Sequence, residues 1–211
     1  MINDKTDGLR DGVDPRDRTD RRVRADAQRN IAALLRSARA VFETSGVDAP
    51  VRDIAEKAGV GVGTVYRHFP TRADLIVAVF RHEVDACADA ASVLAIEHEP
   101  GEALARWMHR YVDFIAAKRG LAAALHSGNP AFDTLPAYFD KRLRPALQTL
   151  LEAAAAAGEV RAGVEPDDLL RAVASLGTPA HDGGSAHARR MVALLVDGLR
   201  YGVDPSAHMR P

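Results

Sequence analysis

Cys87 is the only cysteine in 211 residues, so the chain can form neither an intramolecular disulfide nor an all-cysteine zinc site, which fits a reducing compartment. No apolar run reaches the roughly 18 residues that a membrane span needs. The opening stretch MINDKTDGLRDGVDPRDR has no apolar core of the kind a secretory signal carries. The expectation is therefore a soluble, cytoplasmic chain with no membrane partner. A Gly-rich phosphate loop, a paired-carboxylate spacing and a nucleophile motif are all missing, which argues against an enzyme. His109 and His126 lack an i, i+4 partner of known ligand pattern, and His82 beside Glu83 and Asp85 reads as a solvated face, so no metal or cofactor is expected.

A net charge of one sign is also missing, but the overall value of -1 hides a segregation. Residues 1–20 sum to -2, residues 21–72 to +5 and residues 73–211 to -4. A compact basic segment on a mildly acidic body suggests one part that meets a polyanion and another with a different task.

Residues 1–20 are rich in Asp, Arg and Gly and offer little to bury, so they are expected to be a disordered arm. From Arg24 onward Ile31, Leu34, Leu35, Ala38, Val41 and Phe42 mark one helical face, ending at Gly46. A shorter helix carries Val51, Ile54, Ala55 and Ala58, with Pro50 suited to its first position and Gly59 to its end. After Gly61 another two turns run to Phe69 before Pro70. Thr71 and Asp74 then form a near capping box for a long helix with Leu75, Ile76, Val79, Phe80 and Val84 inside. Further helical stripes follow, at Leu104 to Ile115, Leu143 to Leu151, Leu169 to Leu176 and Met191 to Leu199. Joints are expected at Pro100, Gly120, Gly128 with Pro130, Gly158 to Gly163 and Pro179 to Gly184. The fold class is all-α: a helix-turn-helix head over 21–72, with the motif at about 50–69, on a helical body over 73–211.

Within the head, Ala55 is small where two short helices approach, Gly59 suits a tight turn, and Val60 and Val65 can plug the shared core. Val62, Gly63, Thr64, Tyr66, Arg67 and His68 are mostly small or hydrogen-bonding, which suits base edges and phosphates in a major groove. An ordinary helical hairpin with a basic rim fits the same periodicity.

The stretch VRDIAEKAGVGVGTVYRHFPTRADLI, residues 51–76, closely resembles the DNA-binding signature of TetR-family transcriptional regulators. Trp107 to Leu121, together with Gly-Glu-Val-Arg at 158–161, is similar to that family's SbtR-like C-terminal type. The resemblance implies a homodimeric all-α repressor that reads a near-palindromic double-stranded DNA operator and releases it when a small-molecule effector enters the body. By position it implies that Thr64 contacts a base or the backbone, Tyr66 and His68 the phosphates, and Arg52 the groove beside the second helix. Thr71 and Arg72 would meet the DNA at the start of the fourth helix, Arg72 through a phosphate, and Gly61, Val62 and Gly63 would let the recognition helix lie close to DNA. Two departures stand out. Ala49 and Pro50 replace the usual Ser or Thr cap; Arg72 replaces the more frequent Lys, and Gly61 and Val62 replace commonly polar residues, which shifts specificity toward Arg67, Arg52 and DNA shape. A helix-turn-helix protein of another family and an all-helical small-molecule binder are the alternatives.

In the body, Trp107, Tyr111, Phe114, His126, Phe132, Phe139 and Arg142 are the candidate pocket, although aromatic stripes at helical spacing also make ordinary core. Arg142 would favour an anionic effector unless Asp140 or Glu152 pairs with it. Leu169, Val173, Leu176, Met191, Val192, Leu195 and Leu199 are the candidate dimer seam, or else an internal core face. Cys87 reads as a buried thiol, with redox sensing as the alternative.

Overall fold

The computed structural model describes residues 15–119, 121–176 and 184–200. Among them every regular element is helical: α1 (Pro15–Ser45), α2 (Val51–Ala58), α3 (Val62–His68), α4 (Arg72–Glu97), α5 (Pro100–Arg119), α6 (Ala122–Leu125), a 3-10 turn (Pro130–Phe132), α7 (Leu135–Ala156), α8 (Pro166–Leu176) and α9 (Gly184–Arg200). No helix among the described residues is long and apolar enough to cross a membrane.

The breaks follow local chemistry. Gly46 and Gly59 end α1 and α2 with φ of +77° and +69°, a region L side chains avoid. At Gly59 the backbone closes by Gly59 N–H donating to Glu56 O at 3.0 Å and Val60 N–H to Ala55 O at 3.0 Å. Thr71 caps α4 in a full capping box: its Oγ1 accepts from Asp74 N–H at 3.1 Å, while Asp74 Oδ2 accepts from Thr71 N–H at 2.9 Å. Pro50 is the residue before α2 rather than its first, and no side chain caps that end.

One boundary differs from the sequence reading. Helix α1 begins at Pro15 rather than Arg24, so residues 15–20 are helical and not part of a disordered arm; residues 1–14 lie outside the described residues. Apolar periodicity marks only the buried part of a helix, and α1 extends past it on a mostly charged and polar stretch. Helix α7 runs through Pro145, which lies on its exposed side, so the carbonyl deprived of a donor is that of exposed Lys141. The joints at Gly120 and over 179–183 fall outside the described residues.

Helix α4 is the spine. It packs along α5 and α7 and also meets α1, thereby joining the three-helix head to the body. Trp107, with no exposed surface, donates its indole N–H to Cys87 O at 2.9 Å and fixes α5 on α4. Its ring stacks on Tyr111 at 5.7 Å, Tyr111 stacks on Phe114 at 5.9 Å, and Phe114 meets Phe80 edge-on at 6.1 Å. The Tyr111 hydroxyl donates to Leu170 O at 3.3 Å, tying α8 to the same column.

The candidate dimer seam needs correction. Leu169, Val173, Val192 and Leu199 are buried inside the chain, where α8 and α9 pack on α5, so they are core and cannot meet a second copy. Leu176, Met191 and Leu195 lie half-buried on the flank of that core. The apolar side chain that α9 turns outward is Leu194, 63% exposed, with exposed Gly198 one turn on. A stripe of period 3.6 identifies an apolar face but not what covers it.

Candidate nucleic-acid interface

Ile54, Ala55 and Val65 are almost wholly buried between α2 and α3, and Val60 and Phe69 pack against the same core. This sets the two short helices at a fixed angle and turns the opposite face of α3 outward. On that face Val62, Gly63, Tyr66, Arg67 and His68 are exposed, with Tyr66 at 51%, while Thr64 is half-buried. Arg52 and Lys57 of α2 are exposed as well. No ion pair joins Arg52, Lys57 or Arg67 to a carboxylate among the described residues, so three cations stand unneutralised around α3.

Gly61 and Gly63 carry ordinary φ, and a Cβ added at either would meet nothing within 4 Å. The chain itself therefore has no need of glycine at these two positions.

Arg72 requires a correction. Its Nε donates to Val47 O at 2.6 Å and its Nη2 donates to Val47 O and Ala49 O, while the guanidinium lies 5.1 Å over the Phe42 ring. Burial lowers its pKa, opposed by Asp48 and Tyr66. This fork braces the loop between α1 and α2 against the start of α4, so the side chain is spent on the protein and not held out for a phosphate. The neighbouring Thr71 hydroxyl is likewise engaged, donating to Asp74 Oδ2 at 2.7 Å.

In the body, Tyr111, His126, Phe132 and Phe139 of the expected pocket line two neighbouring hollows, while Trp107, Phe114 and Arg142 line neither. Trp107 is core. Arg142 faces α4, where its Nε donates to Asp85 at 2.7 Å and its Nη2 to Asp89 at 2.7 Å; neither Asp140 nor Glu152 is its partner. Tyr138 donates to the same Asp85, and the paired carboxylates raise the pKa of Arg142. The two hollows are half-open and flank Phe139. One, of about 370 Å³, lies between α5, α7 and α8 and is walled by Tyr111, Ile115 and Leu170. The other, of about 300 Å³, is walled by Phe80, Phe132 and Leu135, with His126 at its side. Phe114 instead lines a much smaller gap where α1 meets α4 and α5. Lys118, which belongs to all three linings, went unnoticed in the sequence. Its signal was present, since 111, 114, 115 and 118 share one helical face.

Cys87 is buried and its thiol is pushed up to about 12 by desolvation, which keeps it protonated and unreactive. Among the described residues no group of three or more His, Cys, Asp or Glu is arranged to hold a metal ion.

Comparison with known proteins adds independent findings. Residues 34–79 match the family described as bacterial regulatory proteins, tetR family, and residues 99–201 match the C-terminal domain of SbtR-like transcriptional regulators. A TetR transcriptional regulator from Streptomyces coelicolor is 39% identical, with 80% of this chain and 97% of that one superposed at a TM-score of 0.71. A TetR regulatory protein from Mycobacterium vanbaalenii is 38% identical over 84% and 99% of the two chains, with a TM-score of 0.66. HTH-type regulators of Staphylococcus aureus are 34% identical over 64 residues, 30% of this chain; the match spans about a third (35%) of their own length.

Proposed function

The chain belongs to the TetR family of transcriptional regulators, and from that premise we propose that it is a ligand-responsive repressor which grips a near-palindromic operator as a homodimer. The observation that carries this reading is the outward face of α3, where exposed Tyr66, Arg67 and His68 flank two glycines that internal packing does not require. Thr64, Tyr66 and His68 position the helix on bases and backbone, Arg67 and Arg52 supply charge-assisted contacts, and Gly61, Val62 and Gly63 let the duplex come close. Arg72 acts one step back, by holding the loop before α2.

One head covers one half-site, so two heads must be held about 34 Å apart to meet successive major grooves. Leu194, with Met191 and Leu195 beside it, supports a self-complementary contact through the outer flank of α9. Helix α4 carries both the head and the aromatic column, so a ligand that favours one setting of α4 changes the head spacing. The experiment is binding of the purified protein to promoter DNA from its own locus across a salt series. Log K should fall with log salt by about 0.9 for each phosphate neutralised. Tyr66→Ala and Arg67→Ala should weaken binding while leaving far-UV circular dichroism unchanged. Indifference to that DNA at low salt would remove the main support.

A further inference from the structure

The two hollows have in common Lys118, Phe139 and Asp140; the remaining wall of the smaller is mostly apolar or aromatic, and that of the larger adds Arg144, Asp167 and Arg171 to its apolar residues. Two other cations near them have carboxylates within ion-pair distance. Arg144 lies 3.3 Å from Asp167, and Arg39 lies 2.9 Å from Glu43 and 3.4 Å from Glu83. Lys118 is different. Its ammonium sits 5.8 Å over the Phe139 ring, and among the described residues no carboxylate lies within ion-pair distance of it. Desolvation lowers its pKa, as expected of a half-buried cation without an anion. Asp140 is exposed and forms no ion pair with it, and Arg171, at the rim of the larger hollow, is exposed too. A desolvated, unpaired ammonium in an apolar wall costs the free protein, and a ligand carboxylate would recover that cost.

We propose that the effector is an amphipathic monoanion, an aryl or alkyl body carrying one carboxylate, seated beside Phe139 with Lys118 as its counter-ion. The inference rests on the effector-responsive reading above and names the ligand class for it. Placement supports a regulatory consequence. Lys118 also lines the narrow gap where α1 meets α4 and α5, together with Arg39 and Phe42, and the Phe42 ring in turn carries Arg72. An anion drawing on Lys118 therefore acts at the joint between body and head.

The test uses the full chain and two matched series: 4-phenylbutyrate, 4-phenylbutanol and 4-phenylbutylamine, then decanoate, decanol and decylamine. Binding is followed by emission of Trp107, the sole tryptophan, which stacks on the Tyr111 wall, and by melting temperature. In at least one series the acid should bind on the order of tenfold more tightly than the alcohol, with the amine weakest. Lys118→Met should erase that preference without lowering the melting temperature, and Lys118→Arg should keep it. Equal binding of acid and alcohol, no binding by either acid, or a preference that survives in Lys118→Met would overturn the proposal. Operator release is read in the same samples. An acid that binds through Lys118 without releasing DNA supports the ligand class and sinks the repressor-switch reading, whereas an alcohol that releases DNA as well as its acid does the reverse.

Discussion

Replacing Arg72 by alanine separates a brace from a phosphate contact. The side chain donates from Nε and Nη2 to the carbonyls of Val47 and Ala49 and lies over Phe42. Hydrogen bonds from a charged donor contribute about 1.5–3 kcal/mol in favourable cases. The ring contact adds about 0.5–1 kcal/mol at a half-exposed site. Removing the guanidinium also leaves the carbonyls of buried Val47 and Ala49 without this donor. The expected loss is about 3 kcal/mol, which for a chain of this size lowers the melting temperature by roughly 6–12 °C. Arg72→Lys should recover only part of this, because an ammonium cannot fork across two carbonyls as a planar guanidinium does. Thermal unfolding followed by circular dichroism gives the stability, and operator titrations well below the transition give the salt dependence. The salt slope of Arg72→Ala should match that of the parent. A melting temperature within a degree of the parent, combined with a slope shallower by about 0.9, would mean that Arg72 neutralises a phosphate and that the brace is wrong.

Gly63→Ala should leave the fold as stable or raise its stability by about 0.5–1 kcal/mol, since alanine favours a helix interior, yet weaken operator binding; unchanged affinity would leave that glycine unexplained. Leu194→Glu should turn a dimer into a monomer in sedimentation at micromolar concentration with its circular dichroism intact, whereas Val192→Glu buries a charge and should unfold the body; a dimer surviving Leu194→Glu would move the contact elsewhere. Native Cys87 should resist iodoacetamide and react on unfolding. Its pKa is raised from 9.0 to about 12 on folding, so its contribution to stability is complete below pH 9 and fades toward pH 12, and Cys87→Ala should flatten that alkaline loss.

What the sequence displayed well was chemistry settled within a few residues. Gly46 and Gly59 at positive φ, and the reciprocal bonds of Thr71 with Asp74, needed nothing from the rest of the fold. The exposed face of α3 was legible for the same reason, because burying Ile54, Ala55 and Val65 leaves Tyr66, Arg67 and His68 one direction to point. Long-range pairing was hidden. Arg72 finds its acceptors in loop carbonyls that have no sequence signature, and Arg142 finds Asp85 and Asp89 on another helix rather than the acids nearby in its own. The stripes on α8 and α9 were genuine, but an apolar face turned toward α5 and one turned toward a second copy look alike in sequence. Lys118 escaped notice because a lysine on an apolar helical face reads as ordinary until its lack of an anion is visible in three dimensions.

The most direct measurement is selection of duplexes from a randomised DNA library by the purified protein at moderate salt, followed by sequencing and by the mass of the selected complex. The account predicts an inverted repeat whose half-site centres lie about one helical turn, or a whole multiple of it, apart, occupied by an even number of chains. It also predicts that Tyr66→Ala and Arg67→Ala lose that enrichment while remaining folded. Recovery of no motif, or of a single unrepeated site bound by one chain, would contradict it.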